Sequence, residues 1–230
     1  MTLAPATRAN VVALIPAYLE ARHIYDVANR VRLQLDRVLV VDDGSKDNTM
    51  AEAKRAGAEV VSHTVNQGKG AAIKTGLAVL AERKELAYVL LLDGDGQHLP
   101  EEIPRFIEEA NRSFAALLIG NRMSDVRTMP LVRKLTNRFM SWQISAVCGQ
   151  PIPDTQCGYR MVRSDLLTPL AAAASARFDF ETEMLAIASR LGHRIAAVPV
   201  STVYGDEKSK IRPVKDTVRF YRLLNRLRRR

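Results

Sequence analysis

Short apolar runs that stop abruptly at a polar residue, a proline or a glycine constrain this chain more than any other feature. Val11–Ile15 ends at Pro16, Val38–Val41 at Asp42, Tyr88–Leu92 at Asp93 and Leu117–Ile119 at Gly120, and Glu59–Ser62 adds a further strand among them. Between the runs, Ile24, Val27, Ala28, Val31 and Leu35 form one helical stripe, and Ile73, Leu77 and Leu80 form another. Strand-length runs alternating with amphipathic helices predict βαβ units, hence an α/β fold with a mainly parallel, twisted sheet flanked by helices. In open sheets of this kind ligands bind beyond the carboxyl ends of the strands, and polar residues cluster just past these runs.

The second half is less regular. It predicts a long helix from about Leu131 to Val147, a turn at Pro151–Pro153, a helix near Glu181–Leu191 and a strand at Arg194–Val200. Pro213 then separates the body from a basic terminal segment. A chain of 230 residues suits one domain with a small appendage, here residues 1–212 and 213–230.

No run approaches the ~18–20 apolar residues of a spanning helix. The longest strictly apolar one is Leu86–Leu92, and the first ten residues lack the apolar stretch of an export signal. A cytoplasmic location is therefore expected. Cys148 and Cys157 fit no metal-ligand spacing and are expected to be reduced there. The net charge is +9, but Arg219–Arg230 holds six arginines and no acid. Basicity is thus a property of the tail, not a sign of nucleic-acid affinity across the surface.

Chemistry concentrates in three segments. In Leu92-Asp93-Gly94-Asp95-Gly96-Gln97-His98, two carboxylates leave a buried strand two residues apart. Their oxygens, with Gln97, can converge on one hard divalent cation that also takes phosphate oxygens, which implies a diphosphate ligand. A calcium loop fails here, because its third acid, glycine and closing glutamate would be Gln97, His98 and Pro104. Val41-Asp42-Asp43-Gly44-Ser45 repeats the strand-acid-glycine pattern, and a carboxylate there could accept hydrogen bonds from a nucleobase. Asp47 or Asn48 is placed to cap the helix that follows. In Asn66-Gln67-Gly68-Lys69-Gly70, a glycine-flanked lysine opens a helix and suits an anionic phosphate. A P-loop would need glycine at His63 and Ser or Thr at Gly70.

Taken in order, Pro16-Ala17-Tyr18-x-Glu20, Val41-Asp42-Asp43-Gly44-Ser45-x-Asp47, Asn66-x-Gly68-Lys69-Gly70 and Asp93-x-Asp95-x-Gln97 resemble the family 2 glycosyltransferases with the GT-A fold. Gly120-Asn121-Arg122, Leu131-Val132-Arg133-Lys134, Asp154-Thr155-Gln156-Cys157-Gly158-Tyr159-Arg160 and Tyr204 to Ile211 extend the likeness towards the dolichyl-phosphate (polyprenyl-phosphate) mannosyltransferases. The resemblance covers roughly residues 10–212. It implies that Pro16, Tyr18 and Glu20 wrap a nucleoside, that Asp43 contacts its base, and that Asp93 lies near ribose and metal. Asp95 and Gln97 would coordinate Mg2+ or Mn2+. The chain departs from the subgroup's usual Asp-Ala-Asp-Leu-Gln at Gly94 and Gly96, and from its usual Asn at Leu19.

The implied reaction is an inverting single displacement of a nucleoside diphosphate, from GDP-mannose or UDP-glucose, by a polyprenyl or dolichyl phosphate. A phosphate monoester with a second pKa of about 6 is largely a dianion at neutral pH and needs no strong base. Arg122 and Arg133, with Asn137 one turn beyond Arg133, would hold that phosphate. Lys208 and Lys210 would close over it, and Asp154 matches a position near the acceptor.

A transferase with a soluble acceptor would share every donor motif but would not need the tail. A nucleotidyltransferase is expected to place a basic glycine-rich loop where Pro16-Ala17-Tyr18 stands, and a nucleic-acid-binding module leaves Asp93 and Asp95 unexplained. On a wheel at ~100° per residue, Phe220, Leu223, Leu224 and Leu227 share one side of the tail, with Arg219, Arg222, Arg226, Arg229 and Arg230 opposite. Such a helix can rest on the anionic inner face of a membrane, at ~1 kcal/mol per basic residue, or pack against protein.

Overall fold

The computed structural model describes residues 4–124, 131–177 and 179–201. In chain order the elements are β1 (Val11–Ala17), α1 (Ile24–Gln34), β2 (Arg37–Asp42), α2 (Thr49–Arg55), β3 (Glu59–Ser62), α3 (Lys69–Ala81) and β4 (Tyr88–Leu91), then α4 (Ile103–Ser113), β5 (Leu117–Asn121), α5 (Leu131–Cys148), β6 (Arg160–Arg163), α6 (Leu167–Ala171), α7 (Asp179–Arg190) and β7 (Ile195–Pro199). The expected strands are present within two residues at each end, as are the helices expected near 131–147 and 181–191. The terminal helix expected over 213–230 lies outside the described residues.

The strands form one sheet in the order β3-β2-β1-β4-β6-β5-β7. Every neighbouring pair is parallel except those of β6, which runs antiparallel to both β4 and β5. Every residue of β1 and β4 is buried, so helices must cover both faces of the sheet there. On α1 the buried residues are Ile24, Val27, Ala28 and Val31, the stripe read from the sequence.

The sequence reading missed β6, and it is the strand that builds the site. Its first residue, Arg160, stands opposite Leu91 at the end of β4 and Ile119 near the end of β5. Because β6 runs the other way, the loop feeding it, residues 154–159, arrives at the carboxyl edge of the parallel strands. Arg160 is fully buried, and its guanidinium donates to the carbonyls of Cys157 (2.8 Å), Thr155 (3.0 Å) and Glu181. One side chain thereby ties the loop to α7. Close approach of α3 depends on Gly70, where a Cβ would lie 2.7 Å from backbone atoms of Ala176 and Arg177.

Candidate active site

The sheet edge gathers three groups of residues. At the end of β4, the Asp93 carboxylate lies 2.6 Å from Lys69 Nζ, and the same ammonium lies 2.7 Å from Glu181 Oε1. Lys69 is the first residue of α3, and Glu181 sits in the first turn of α7. Gly158 leaves room for this triad, since a Cβ there would stand 3.1 Å from both Asp93 Oδ2 and Lys69 Nζ. Burial alone would push the Asp93 carboxyl up, but the adjacent ammonium outweighs it and holds the group below its ordinary range. Burial pulls Lys69 down, and two carboxylates reverse that, leaving it above the usual lysine value. The sequence pointed Lys69 at a phosphate; the structure engages its ammonium with two acids. Glu181 and the triad were not foreseen.

Just beyond, Asp95 Oδ1 accepts the Gln97 backbone N–H at 3.0 Å, in a turn whose Gly96 has φ 77°. That left-handed φ suits glycine, which accounts for the departure at this position. Among the described residues no group of three or more His, Cys, Asp or Glu is placed to hold a metal. Asp95 and Gln97 are both half-buried and supply oxygens only. Such a pair fits a hard cation that completes its shell with phosphate and water. His98 is buried against Tyr159, with ring centroids 4.9 Å apart, and its Nδ1 accepts the Asp93 N–H at 3.2 Å. Burial pushes its pKa down to about 4, consistent with a neutral ring that accepts at Nδ1.

The expected nucleoside group lies along the ends of β1 and β2. Pro16 ends within β1, Tyr18 is 36% exposed, and the buried Glu20 donates its N–H to Thr49 Oγ1 at 2.9 Å. Between them Leu19 has φ 58°, with its N–H on Ser45 Oγ at 2.9 Å. A left-handed residue explains why asparagine suits this place and why leucine is strained in it. Asp47, not Asn48, supplies the capping oxygen, accepting the Thr49 N–H at 3.1 Å. Asp43 accepts the N–H groups of Gln67 (2.9 Å) and Gly68 (2.7 Å) and meets His63 Nδ1 at 2.7 Å. His63 in turn reaches Thr75 Oγ1 at 2.9 Å. Asp43 therefore anchors the loop that opens α3, a task the sequence did not disclose.

The third group joins three residues that the resemblance put on the acceptor side, Arg122, Asn137 and Asp154. Arg122 donates through Nε (2.8 Å) and Nη2 (3.0 Å) to the two oxygens of the buried Asp154, and Asn137 Nδ2 donates to Asp154 Oδ1 at 2.8 Å. Ser141 and Thr155 continue the network at 3.0–3.2 Å. Burial raises the Asp154 carboxyl, but the hydrogen bonds and charge of Arg122 and the amide of Asn137 bring it below its ordinary value. Arg122 follows the end of β5 and Asp93 the end of β4, strands that both pair with β6, so the two groups share one edge of the sheet. The Arg133 side chain, Lys208 and Lys210 lie outside the described residues.

Cys148 and Cys157 are free and buried, and burial pushes their thiols up to about 11 and about 12. Neither has thiolate character. No helix among the described residues is long and apolar enough to cross a membrane.

Comparison with known proteins accords with this geometry. The sequence profile of Glycosyl transferase family 2 matches residues 12–170. UDP-N-acetylglucosamine--dolichyl-phosphate N-acetylglucosaminyltransferase of Methanococcus voltae is 30% identical over 92% of this chain and 93% of its own length. Undecaprenyl-phosphate mannosyltransferase of Micrococcus luteus is 33% identical over 84% and 83%. Among solved structures, glucosyl-3-phosphoglycerate synthase of Mycobacterium tuberculosis, in complex with Mn2+, UDP and glucosyl-3-phosphoglycerate, superposes with a TM-score of 0.68 at 21% identity, covering 95% of this chain and 78% of that one. With the profile spanning more than half of its length and the sheet edge built as described, this chain belongs to the family 2 glycosyltransferases and has their GT-A fold.

Proposed function

We propose that this enzyme transfers mannose or glucose, with inversion, from GDP-mannose or UDP-glucose to a polyprenyl or dolichyl phosphate. The observation that carries the reading is one sheet edge holding both the oxygen-bearing side chains of Asp95 and Gln97 and an arginine, Arg122, held by Asp154, which Asn137 also engages. Relatives named for transfer to dolichyl and undecaprenyl phosphate, matched over more than four fifths of their lengths, support the acceptor class.

In this reading Asp95 and Gln97 hold Mg2+ or Mn2+, which when bound neutralises charge on the departing diphosphate. Pro16, Tyr18, Glu20 and Asp43 receive the nucleoside, and Asp93, kept ionised by Lys69, lies towards the ribose. Asp154, which Asn137 also engages, orients Arg122, whose planar guanidinium suits an acceptor phosphate; Arg133, Lys208 and Lys210 add charge. Residues 1–212 form the catalytic domain, and the basic segment 213–230 tethers it at the cytoplasmic face of a membrane.

The test is transfer of labelled sugar from GDP-mannose, UDP-glucose and UDP-N-acetylglucosamine, with Mg2+ or Mn2+, to polyprenyl phosphate and to 3-phosphoglycerate. Transfer of mannose or glucose to the lipid is expected. Transfer only to the soluble phosphate would overturn the acceptor class, and transfer of N-acetylglucosamine alone would overturn the sugar.

A further inference from the structure

Exposed apolar residues scattered singly over a surface carry no information, and most of those in this chain are so placed. Helix α5 is different. Leu131, Leu135, Phe139 and Trp142 are 68%, 58%, 52% and 68% exposed. At ~100° per residue they fall within about 80° of one another, in one stripe along the helix. The rings of Phe139 and Trp142 lie side by side, with centroids 6.3 Å apart. The opposite face is buried and polar, with Asn137 and Ser141 turned inward to Asp154 and Thr155. The helix sequence contains Arg133, Lys134 and Arg138 and no acid.

We propose that the outward face of α5, through Leu131, Leu135, Phe139 and Trp142, docks on an anionic membrane surface. Leucine and aromatic residues on one side, Lys134 and Arg138 flanking them by helical spacing, and no acid anywhere in the helix suit a segment lying in the headgroup region. A protein partner of ordinary composition would not call for that charge bias. The position adds a consequence. The stripe and the Arg122–Asp154 pair are separated by one helix diameter, about 10 Å, so docking would set the acceptor side of the site against the bilayer. This deepens the reading of a lipid-linked acceptor and rests on it, but the surface is tested without that lipid.

Trp142 is the chain's only tryptophan, so its fluorescence reports on α5 and not on the tail. The full chain is mixed with vesicles of phosphatidylcholine containing roughly one third phosphatidylglycerol, with or without brominated acyl chains. Expected are a blue shift, quenching by the brominated lipid, and loss of both in neutral vesicles. Leu135→Ser combined with Phe139→Ser should weaken vesicle binding at least about tenfold while the melting temperature stays unchanged. Sedimentation with vesicles while Trp142 remains unquenched would overturn the proposal, because the tail alone would then be binding. A blue-shifted emission already present in the free chain and unaltered by vesicles would do the same, assigning the stripe to a second copy or to the chain's own terminus. Transfer assays separate the two readings. The double variant should lose activity on vesicle-embedded polyprenyl phosphate and keep it on a short water-soluble isoprenyl phosphate. Equal activity of the variant and the parent on vesicles would overturn docking; quenching together with no transfer to either acceptor would support docking and refute the acceptor class.

Discussion

Replacing Lys69 by methionine should convert the best-satisfied charge cluster of the site into its least stable point. Asp93 Oδ1 and Glu181 Oε1 each lie within 2.7 Å of the ammonium, so they are no more than about 5 Å apart. With the cation gone, two carboxylates at that distance repel by ~3 kcal/mol at an effective dielectric of about 20. Stranding a buried charge by removing its partner typically costs ~3–5 kcal/mol, and the 27% exposure of Asp93 argues for the lower end. Lys69→Met is therefore expected to lose about 3 kcal/mol in urea unfolding near neutral pH. The loss should depend on pH in a direction opposite to that of an ordinary carboxylate. One acid of the unpaired couple takes a folded-state pKa above its unfolded value, so its contribution is present at low pH and falls as pH rises through the raised value. The variant should accordingly be closer to the parent at pH 5 than at pH 8. Adding Glu181→Gln removes the repulsion and should recover at least half of the loss. A Lys69→Met protein within 1 kcal/mol of the parent at both pH values, or a double variant no better than the single, would refute the reasoning.

Four further outcomes are expected. Leu19→Asn relieves a left-handed leucine that is half-exposed and should raise stability by about 1 kcal/mol, read as an increase in Tm. Gly70→Ala forces a Cβ to 2.7 Å from the backbone at Ala176 and Arg177 and should cost about 1–3 kcal/mol, whereas Gly149→Ala, with nothing within 4 Å, should cost only the strain of its φ of 65°. Asp154→Asn removes the buried carboxylate that Arg122 meets through Nε and Nη2 and should cost about 2–3 kcal/mol at pH 7. The depressed Asp154 pKa means that this stabilisation is present above the ordinary carboxylate value and lost as pH falls below it, so parent and variant unfolding curves should converge under acid. Asp95→Asn should lower transfer with Mg2+ or Mn2+ at least about a hundredfold while nucleotide binding in a chelator, followed by calorimetry, is unchanged.

Most of the sheet was legible because β1, β2, β4 and β5 are apolar runs with sharp polar ends, a local signal that needs no knowledge of partners. β6 was hidden by its arginines. Arg160-Met161-Val162-Arg163 presents charge at both ends, and only the carbonyls of residues 155, 157 and 181 make a fully buried guanidinium tolerable. The same limit applies to the site. Asp93, Asp95 and Gln97 announce themselves by spacing, whereas the link from Lys69 to Glu181 spans over a hundred residues and has no periodicity to betray it. His63 and Asp43 meet across the ends of β3 and β2, and a lone histidine after a strand gives no hint of that contact. A glycine between Cys157 and Tyr159 was the available clue to the triad, since a residue without Cβ inside a packed segment implies something close above it.

The reversed strand also dictates an order of events during synthesis. β1 to β4 can assemble as soon as they leave the ribosome, but the outer edge of β4 pairs only with β6, and β5 pairs only with β6 and β7. At ~5–20 residues per second, the roughly 70 residues between Leu91 and Arg160 take about 4–14 s to make. Throughout that interval an apolar strand edge is open in the nascent chain, and β5 emerges with no neighbour to receive it. Premature termination before Arg160 leaves that edge permanently uncovered, a template for aggregation in place of a shortened enzyme.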